Sequence, residues 1–243
     1  MAGHSKWNNI KRRKGAQDAK RGKMFTKLGR ELQVAVKEGG SDPDLNKRLA
    51  DTIARAKSYN MPNDSINRSI KRAAGGDADD YDSIRYEGYG PNGVAIIVDT
   101  LTDNRNRTAG SVRHLFTKYG GNLGQTGSVS YLFEEKGEIY IEGEGVDEEE
   151  LMMLALDAGA EDIEGSEDGY QVTTSPADYE TVKKALEEEY TIVDSSVGPV
   201  AMTTTVLSED DNTTMQKMID DLEDDDDVQN VYSNWDNDSV TEE

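Results

Sequence analysis

Hydrophobic positions in the first third of the chain recur at helical spacing. Phe25, Leu28, Leu32 and Ala35 fall at i, i+3, i+7 and i+10 within residues 17–37, one apolar stripe of an amphipathic helix. Lys20, Lys23, Lys27 and Arg30 repeat the spacing on another side, so one face is set to pack while the other meets solvent or phosphate. Val34 falls on the basic side and is the misfit. Gly39-Gly40 ends this helix, and Asp42-Pro43 opens the next as N-cap and first-turn proline, with Leu45, Leu49, Ile53 and Ala56 as its buried stripe. A turn at Asn60-Met61-Pro62 leads to a short helix with Ile66 and Ile70 inward and Arg68, Lys71 and Arg72 outward. Three helices predict a basic bundle over residues 1–76, small but foldable. Gly75-Gly76 and the acidic residues after it read as a linker.

From residue 93 the period changes. Val94 to Val98 is a β-branched run that predicts a buried strand; a helix follows over 105–119 with Val112, Leu115 and Phe116 packing, then a strand over 128–133. The same order recurs at the end: strand 200–207, helix 212–222, strand 228–235. Between them lies a complete set: strand 138–141, helix 147–157, strands 162–164 and 170–173, helix 176–189, strand 191–193. That middle set spells β-α-β-β-α-β, the ferredoxin-like order, and the outer halves joined spell it again. The expected fold is therefore α+β with three domains: the helical bundle, a discontinuous ferredoxin-like domain over 77–134 and 199–243, and a second ferredoxin-like domain inserted over 135–198.

Charge sharpens this division. The 243 residues carry a net charge of −22, which as an average argues against a polyanionic partner. Yet residues 1–72 hold 18 Lys and Arg against 7 Asp and Glu, a net of +11, while the remainder holds 9 against 42, a net of −33. An asymmetry of this size points the basic segment at a polyanion and leaves the acidic domains to solvent or to basic protein. No apolar run approaches the roughly 20 residues of a membrane span. The start of the chain leads into charge instead of an apolar signal region, so a cytoplasmic protein is expected. The absence of cysteine excludes disulfides, thiolate nucleophiles and zinc-cysteine sites.

Candidate chemistry is sparse. Gly88-Tyr89-Gly90-Pro91-Asn92-Gly93 matches a dinucleotide-binding glycine pattern, but it precedes a strand where that chemistry needs a strand-to-helix turn. The loop from Gly120 to Gly127 lacks the Gly-Lys-Ser/Thr ending of a phosphate loop. Of two histidines, His114 sits inside a helix and His4 in a polar arm, so no catalytic base is placed. The runs Glu148-Glu149-Glu150 and Asp224 to Asp227 lack the spacing of metal ligands; the first suits a helix N-terminus and the second reads as a solvated loop. No enzyme, cofactor, metal or small-molecule substrate is expected. The N-terminal arm differs in kind. His4, Ser5, Lys6 and Trp7, then Lys11, Arg12, Arg13 and Lys14, then Lys20, Arg21, Lys23, Lys27 and Arg30 place cations near an aromatic ring. Such cations neutralise phosphates, and Trp7 either stacks on an unpaired base or anchors the arm in the bundle. Arg105 and Arg107, in the polar loop opening a helix, either extend this surface or belong to a helix cap formed by Asp103 or Asn104.

The wording of several stretches carries more. Ala2-Gly3-His4-Ser5-Lys6-Trp7, Gln17-Asp18-Ala19-Lys20-Arg21-Gly22-Lys23, Asn60-Met61-Pro62, Tyr86-Glu87-Gly88-Tyr89-Gly90-Pro91, Leu101-Thr102-Asp103-Asn104-Arg105-Asn106-Arg107-Thr108 and Gly120-Gly121-Asn122-Leu123-Gly124 resemble the YebC/PmpR family. The resemblance implies three domains with a cleft between them and a cytoplasmic, non-enzymatic regulator of gene expression. Members are described as DNA-binding transcriptional regulators; others, including a mitochondrial translational activator, act at the ribosome and help synthesis through proline-rich stretches. Two partners follow as alternatives, duplex DNA or ribosomal and transfer RNA, with basic ribosomal proteins as partners of the acidic domains in the second case. The chain departs from the family in the acidity of its second and third domains.

Overall fold

The structure, a computed structural model, describes residues 18–76, 79–166 and 169–236. The bundle consists of α1 (Asp18–Gly39), α2 (Lys47–Ser58) and α3 (Asn63–Ala74). Leu28, Leu32, Ala35, Leu49, Ala56 and Ile66 form its core, as the helical spacing requires. Helix α2 starts later than expected. Asn46 is buried; its side chain accepts from the backbone N–H of Leu49 and donates to the carbonyls of Ala35 and Gly40. This cap ties the α1 end to the α2 start, so residues 42–45 form a turn and Leu45, expected to be buried, is exposed.

The remaining elements are β1 (Asp82–Tyr89), β2 (Ala95–Thr102), α4 (Arg105–Lys118), β3 (Asn122–Leu123), β4 (Phe133–Glu142), α5 (Glu148–Ala158), β5 (Ala160–Ser166), β6 (Gly169–Thr174), α6 (Tyr179–Glu187), β7 (Ile192–Ala201), β8 (Thr205–Val206), α7 (Glu209–Asp224), β9 (Val228–Ser233) and β10 (Trp235–Asp236). The fold class is α+β with antiparallel sheets. One sheet has the order β5-β6-β4-β7, which with α5 and α6 as the crossovers is the ferredoxin-like order.

The other sheet, β3-β1-β2-β9, reaches the same spatial order by a different chain path. Strand β2, helix α4 and strand β3 form the split unit with β1 between the strands, and β9 flanks β2 after α7. The strand inserted in the middle is thus β1, which sequence reasoning missed, and not the stretch 200–207. Its run Asp82-Ser83-Ile84-Arg85-Tyr86-Glu87 is half exposed and mixes charge with β-formers, so it lacks clean alternation. Residues 200–207 instead end β7, bend and form the short β8. The strand expected at 128–133 is a loop and a 3-10 turn before β4. Strands β4 and β7 pair from Phe133↔Ala201 to Ile141↔Ile192, with a register shift between Tyr140 and Ile141, so a two-stranded ribbon joins the two α+β units.

Helices α4 and α7 cover one face of the β1-β2 sheet. Val94, Ile96, Val98, Val112, Phe116, Met215, Met218 and Leu222 form the core there. Ala95 and Ile97 on the opposite face pack with Val129 and Phe133, which explains why β2 reads as a continuous apolar run.

Candidate nucleic-acid interface

The basic stripe of α1 meets carboxylates and carbonyls. Lys23 Nζ lies 3.0 Å from both the carbonyl and the Oδ2 of Asp224, and Lys27 Nζ donates to the carbonyl of Glu223 at 2.5 Å. Arg30 Nη1 donates to the carbonyls of Leu101 (3.2 Å) and Asp226 (2.7 Å) and to Asp227 Oδ1 at 2.7 Å. Two turns further, Lys37 Nζ donates to the carbonyl of Asp79 and to Asp80 Oδ1. Lys27 is only 7% exposed. The local reason lies in α7. Its last turn carries no cation, while its unpaired carbonyls and acidic side chains concentrate negative charge there. Helix α1 supplies the missing ammonium groups from another part of the chain. In the folded chain this face meets its own chain: Lys23 and Lys27 reach the end of α7, and Arg30 reaches Asp226 and Asp227 just beyond it and Leu101 on β2, a seam that leaves Lys23 partly in solvent. Val34 belongs to the same row, buried outside the bundle core, and is no misfit.

Asp227 is the centre of this seam. The residue was expected in a solvated loop, yet it is 4% exposed. Its carboxylate accepts from Arg30, from Arg107 Nη2 (2.7 Å to Oδ2), from Thr108 Oγ1 (2.7 Å) and from Thr102 Oγ1 (3.3 Å). Burial alone would push its pKa up; hydrogen bonds from Arg107, Thr108 and Arg30 hold it below the usual Asp range. Arg107 also pairs with Asp103 at 2.7 Å, and Arg105 makes a two-pronged contact with Asp82 at 2.6 and 2.8 Å. Asn104 caps α4 by accepting from the N–H of Arg107. Both arginines of the first turn of α4 thus sit against carboxylates of their own chain.

A second buried carboxylate explains the glycine-rich loop. Glu87 accepts backbone N–H groups from Gly127 (2.8 Å), Val129 (2.9 Å) and Ser130 (2.9 Å). Burial raises its pKa, and these three donors more than offset that, leaving it below the ordinary Glu range. The loop's donors cradle an internal carboxylate. Neither Glu87 nor Asp227 was singled out by sequence, because nothing local distinguishes a buried Asp or Glu from its solvated neighbours.

His4, Ser5, Lys6, Trp7, Lys11, Arg12, Arg13 and Lys14 lie outside the described residues, as do the side chains of Lys20 and Arg21 in the first turn of α1. Arg68, Lys71 and Arg72 are exposed near the end of α3, as the spacing predicted. Arg72 pairs with Asp79 at 3.2 Å; Arg68 and Lys71 have no ion pair among the described residues. Among those residues there is also no group of three or more His, Asp or Glu side chains placed to hold a metal ion.

Models of two domain families match this chain. Residues 5–76 match the TACO1/YebC protein N-terminal domain, and residues 81–235 match the TACO1/YebC second and third domain. The chain belongs to the TACO1/YebC family. Members similar to it include a probable transcriptional regulatory protein of Ruminiclostridium cellulolyticum, 59% identical over 208 residues and 84% of each chain. Another of that name, from Clostridium botulinum (strain Okra / Type B1), is 58% identical over 237 residues and 96% of each chain. Among solved structures, a conserved hypothetical protein from Aquifex aeolicus matches with a TM-score of 0.82 at 43% identity, covering 90% of this chain and 91% of that one. For this family member, no helix among the described residues is long and apolar enough to cross a membrane.

Proposed function

We propose that this protein is a non-enzymatic regulator of gene expression that works in the cytoplasm and binds nucleic acid through its N-terminal domain. The observation that carries this reading is the charge division, 18 basic against 7 acidic residues in the first 72 and the reverse beyond. The relatives named probable transcriptional regulatory proteins support the regulatory role. The contact surface would be the arm from His4 to Lys14, the adjoining Lys20 and Arg21, and the exposed Arg68 and Lys71.

DNA is the target those names favour. A second reading, a ribosome-associated factor contacting ribosomal or transfer RNA and relieving stalling at proline-rich stretches, draws support from the seam. Lys23 and Lys27 are held by the end of α7 and Arg30 by the residues just after it, so these three cations of the α1 row already face oxygens of their own chain. A basic arm bearing one tryptophan suits irregular, unpaired RNA better than a regular duplex.

Fluorescence anisotropy with a DNA duplex across a salt series, beside co-sedimentation with purified ribosomes, separates the two. The combined Lys11→Gln, Arg12→Gln, Arg13→Gln and Lys14→Gln variant is expected to lose binding to whichever target the wild type prefers while its thermal transition stays in place. Unchanged binding would sink the arm as the site. Ribosome association with only weak, steeply salt-dependent duplex binding would remove the transcriptional reading.

A further inference from the structure

Helix α5 presents an apolar stripe to solvent. Met152, Met153 and Leu156 are 39%, 63% and 50% exposed, and they share with Glu149 the i, i+3, i+4, i+7 spacing of one helical face. The opposite face is occupied, since Leu151 and Ala155 belong to the core beneath β4 and β6. Helix α5 packs on α6 and β5, and no residue of α5 lines the cleft between the bundle and α6. Single exposed apolar residues are ordinary, but three adjacent ones on one face of an eleven-residue helix form a patch that wants a cover.

The surroundings select the occupant. Glu148, Glu149, Glu150 and Asp157 lie on the same helix, and Glu161, Asp162 and Glu164 on the strand after it. Residues 137–182 contain 15 Asp and Glu and not one Lys or Arg. An anionic lipid surface and a nucleic acid are both repelled by such a field, and a second copy of this face would bring like charge against like. We infer that the outer face of α5 docks a basic amphipathic segment of another protein, an apolar row entering the Met152, Met153 and Leu156 stripe while flanking Lys or Arg meets the acidic rim. Methionine suits the task, because its unbranched, polarizable side chain repacks around partners of differing shape. The apolar stripe provides the contact and the acidic rim the selectivity. The inference is independent of the nucleic-acid reading.

The test uses the full-length protein and a synthetic Leu/Lys peptide of about 14 residues with leucines at helical spacing, beside a scrambled peptide of identical composition. Isothermal titration calorimetry should show the patterned peptide binding at least about tenfold more tightly than the scrambled one, the difference being the apolar row. The double variant Met153→Gln, Leu156→Gln should erase that difference and leave the weak, salt-sensitive binding common to both peptides. A second variant, Glu149→Gln with Asp157→Asn, keeps the stripe and should weaken the patterned peptide most at low salt. Equal affinity for the two peptides, or a patterned-peptide affinity that the double variant does not change, overturns the proposal. So does concentration-dependent self-association that disappears in the double variant, which would make the occupant a second copy. Binding that emerges only after residues 1–17 are removed would mean that the chain's own basic arm covers the stripe, and overturns it equally.

Discussion

Two of the contacts between the bundle and the rest of the molecule obey the same charge rule with opposite results. At the α1–α7 seam, Lys23, Lys27 and Arg30 meet the end of a helix and a buried Asp227 that also holds Arg107, Thr102 and Thr108. Between α2 and α6, a cavity of about 740 Å³ opens, lined by Ala50, Asp51 and Ala54 on one side and by Glu180, Lys183 and Lys184 on the other. Among the described residues a single exposed ion pair, Lys47 with Glu180 at 3.3 Å, bridges it. Cations of the bundle face carboxylates of the acidic domains in both places. Burial and the number of hydrogen bonds per charge, not the count of opposite charges, decide which contact holds.

The largest break in that comparison should come from Asp227→Ala. It leaves Arg30 and Arg107 without their shared carboxylate, and we expect about 3 kcal/mol of destabilisation in urea unfolding, the lower end for a broken buried pair because Arg107 stays half exposed. Lys27→Met keeps the side-chain stem but removes the ammonium that donates to the Glu223 carbonyl at the end of α7. A loss of about 1–2 kcal/mol is expected, together with faster hydrogen exchange in the last turn of α7. On the open side, Glu180→Ala should change stability by less than about 1 kcal/mol, and raising the salt should make even that difference vanish. A Glu180 effect equal to that of Asp227 would erase the distinction between seam and cleft.

Acidification gives the subtlest contrast, because the two sides titrate with opposite sign. Asp227 has a depressed folded-state pKa, so its stabilisation is complete above the ordinary Asp value and is lost as pH falls through the lower folded one. Asp51, in the cleft, is pushed up by partial burial and by the neighbouring Glu180. Its ionised form opposes folding, so protonation on the way down from neutral pH relieves the cleft before the seam begins to weaken. Chemical-shift titration should therefore show Asp51 protonating at a higher pH than Asp227; the reverse order would contradict the geometry.

Much of this was legible along the chain. The apolar stripes Leu28, Leu32, Ala35 and Ile66, Ile70 identified the bundle, and the middle β-α-β-β-α-β run identified the inserted sheet, because helical and strand periods are local properties of neighbouring residues. Strand β1 escaped because its edge-like, charged pattern becomes a central strand only through pairing with both β2 and β3. Asp227 escaped because four consecutive aspartates look alike until one of them is buried.

The residue order by itself determined which faces are apolar, where helices stop, and that positive charge is gathered in the first 72 residues. What each cation meets was decided only by the tertiary structure. Lys27 and Glu223 lie 196 positions apart. A basic stripe presents the same sequence whether a phosphate or a carboxylate will face it, since both are oxygen anions of like charge. Only the folding that brings the end of α7 against α1 distinguishes a surface waiting for a ligand from one that the chain has already satisfied.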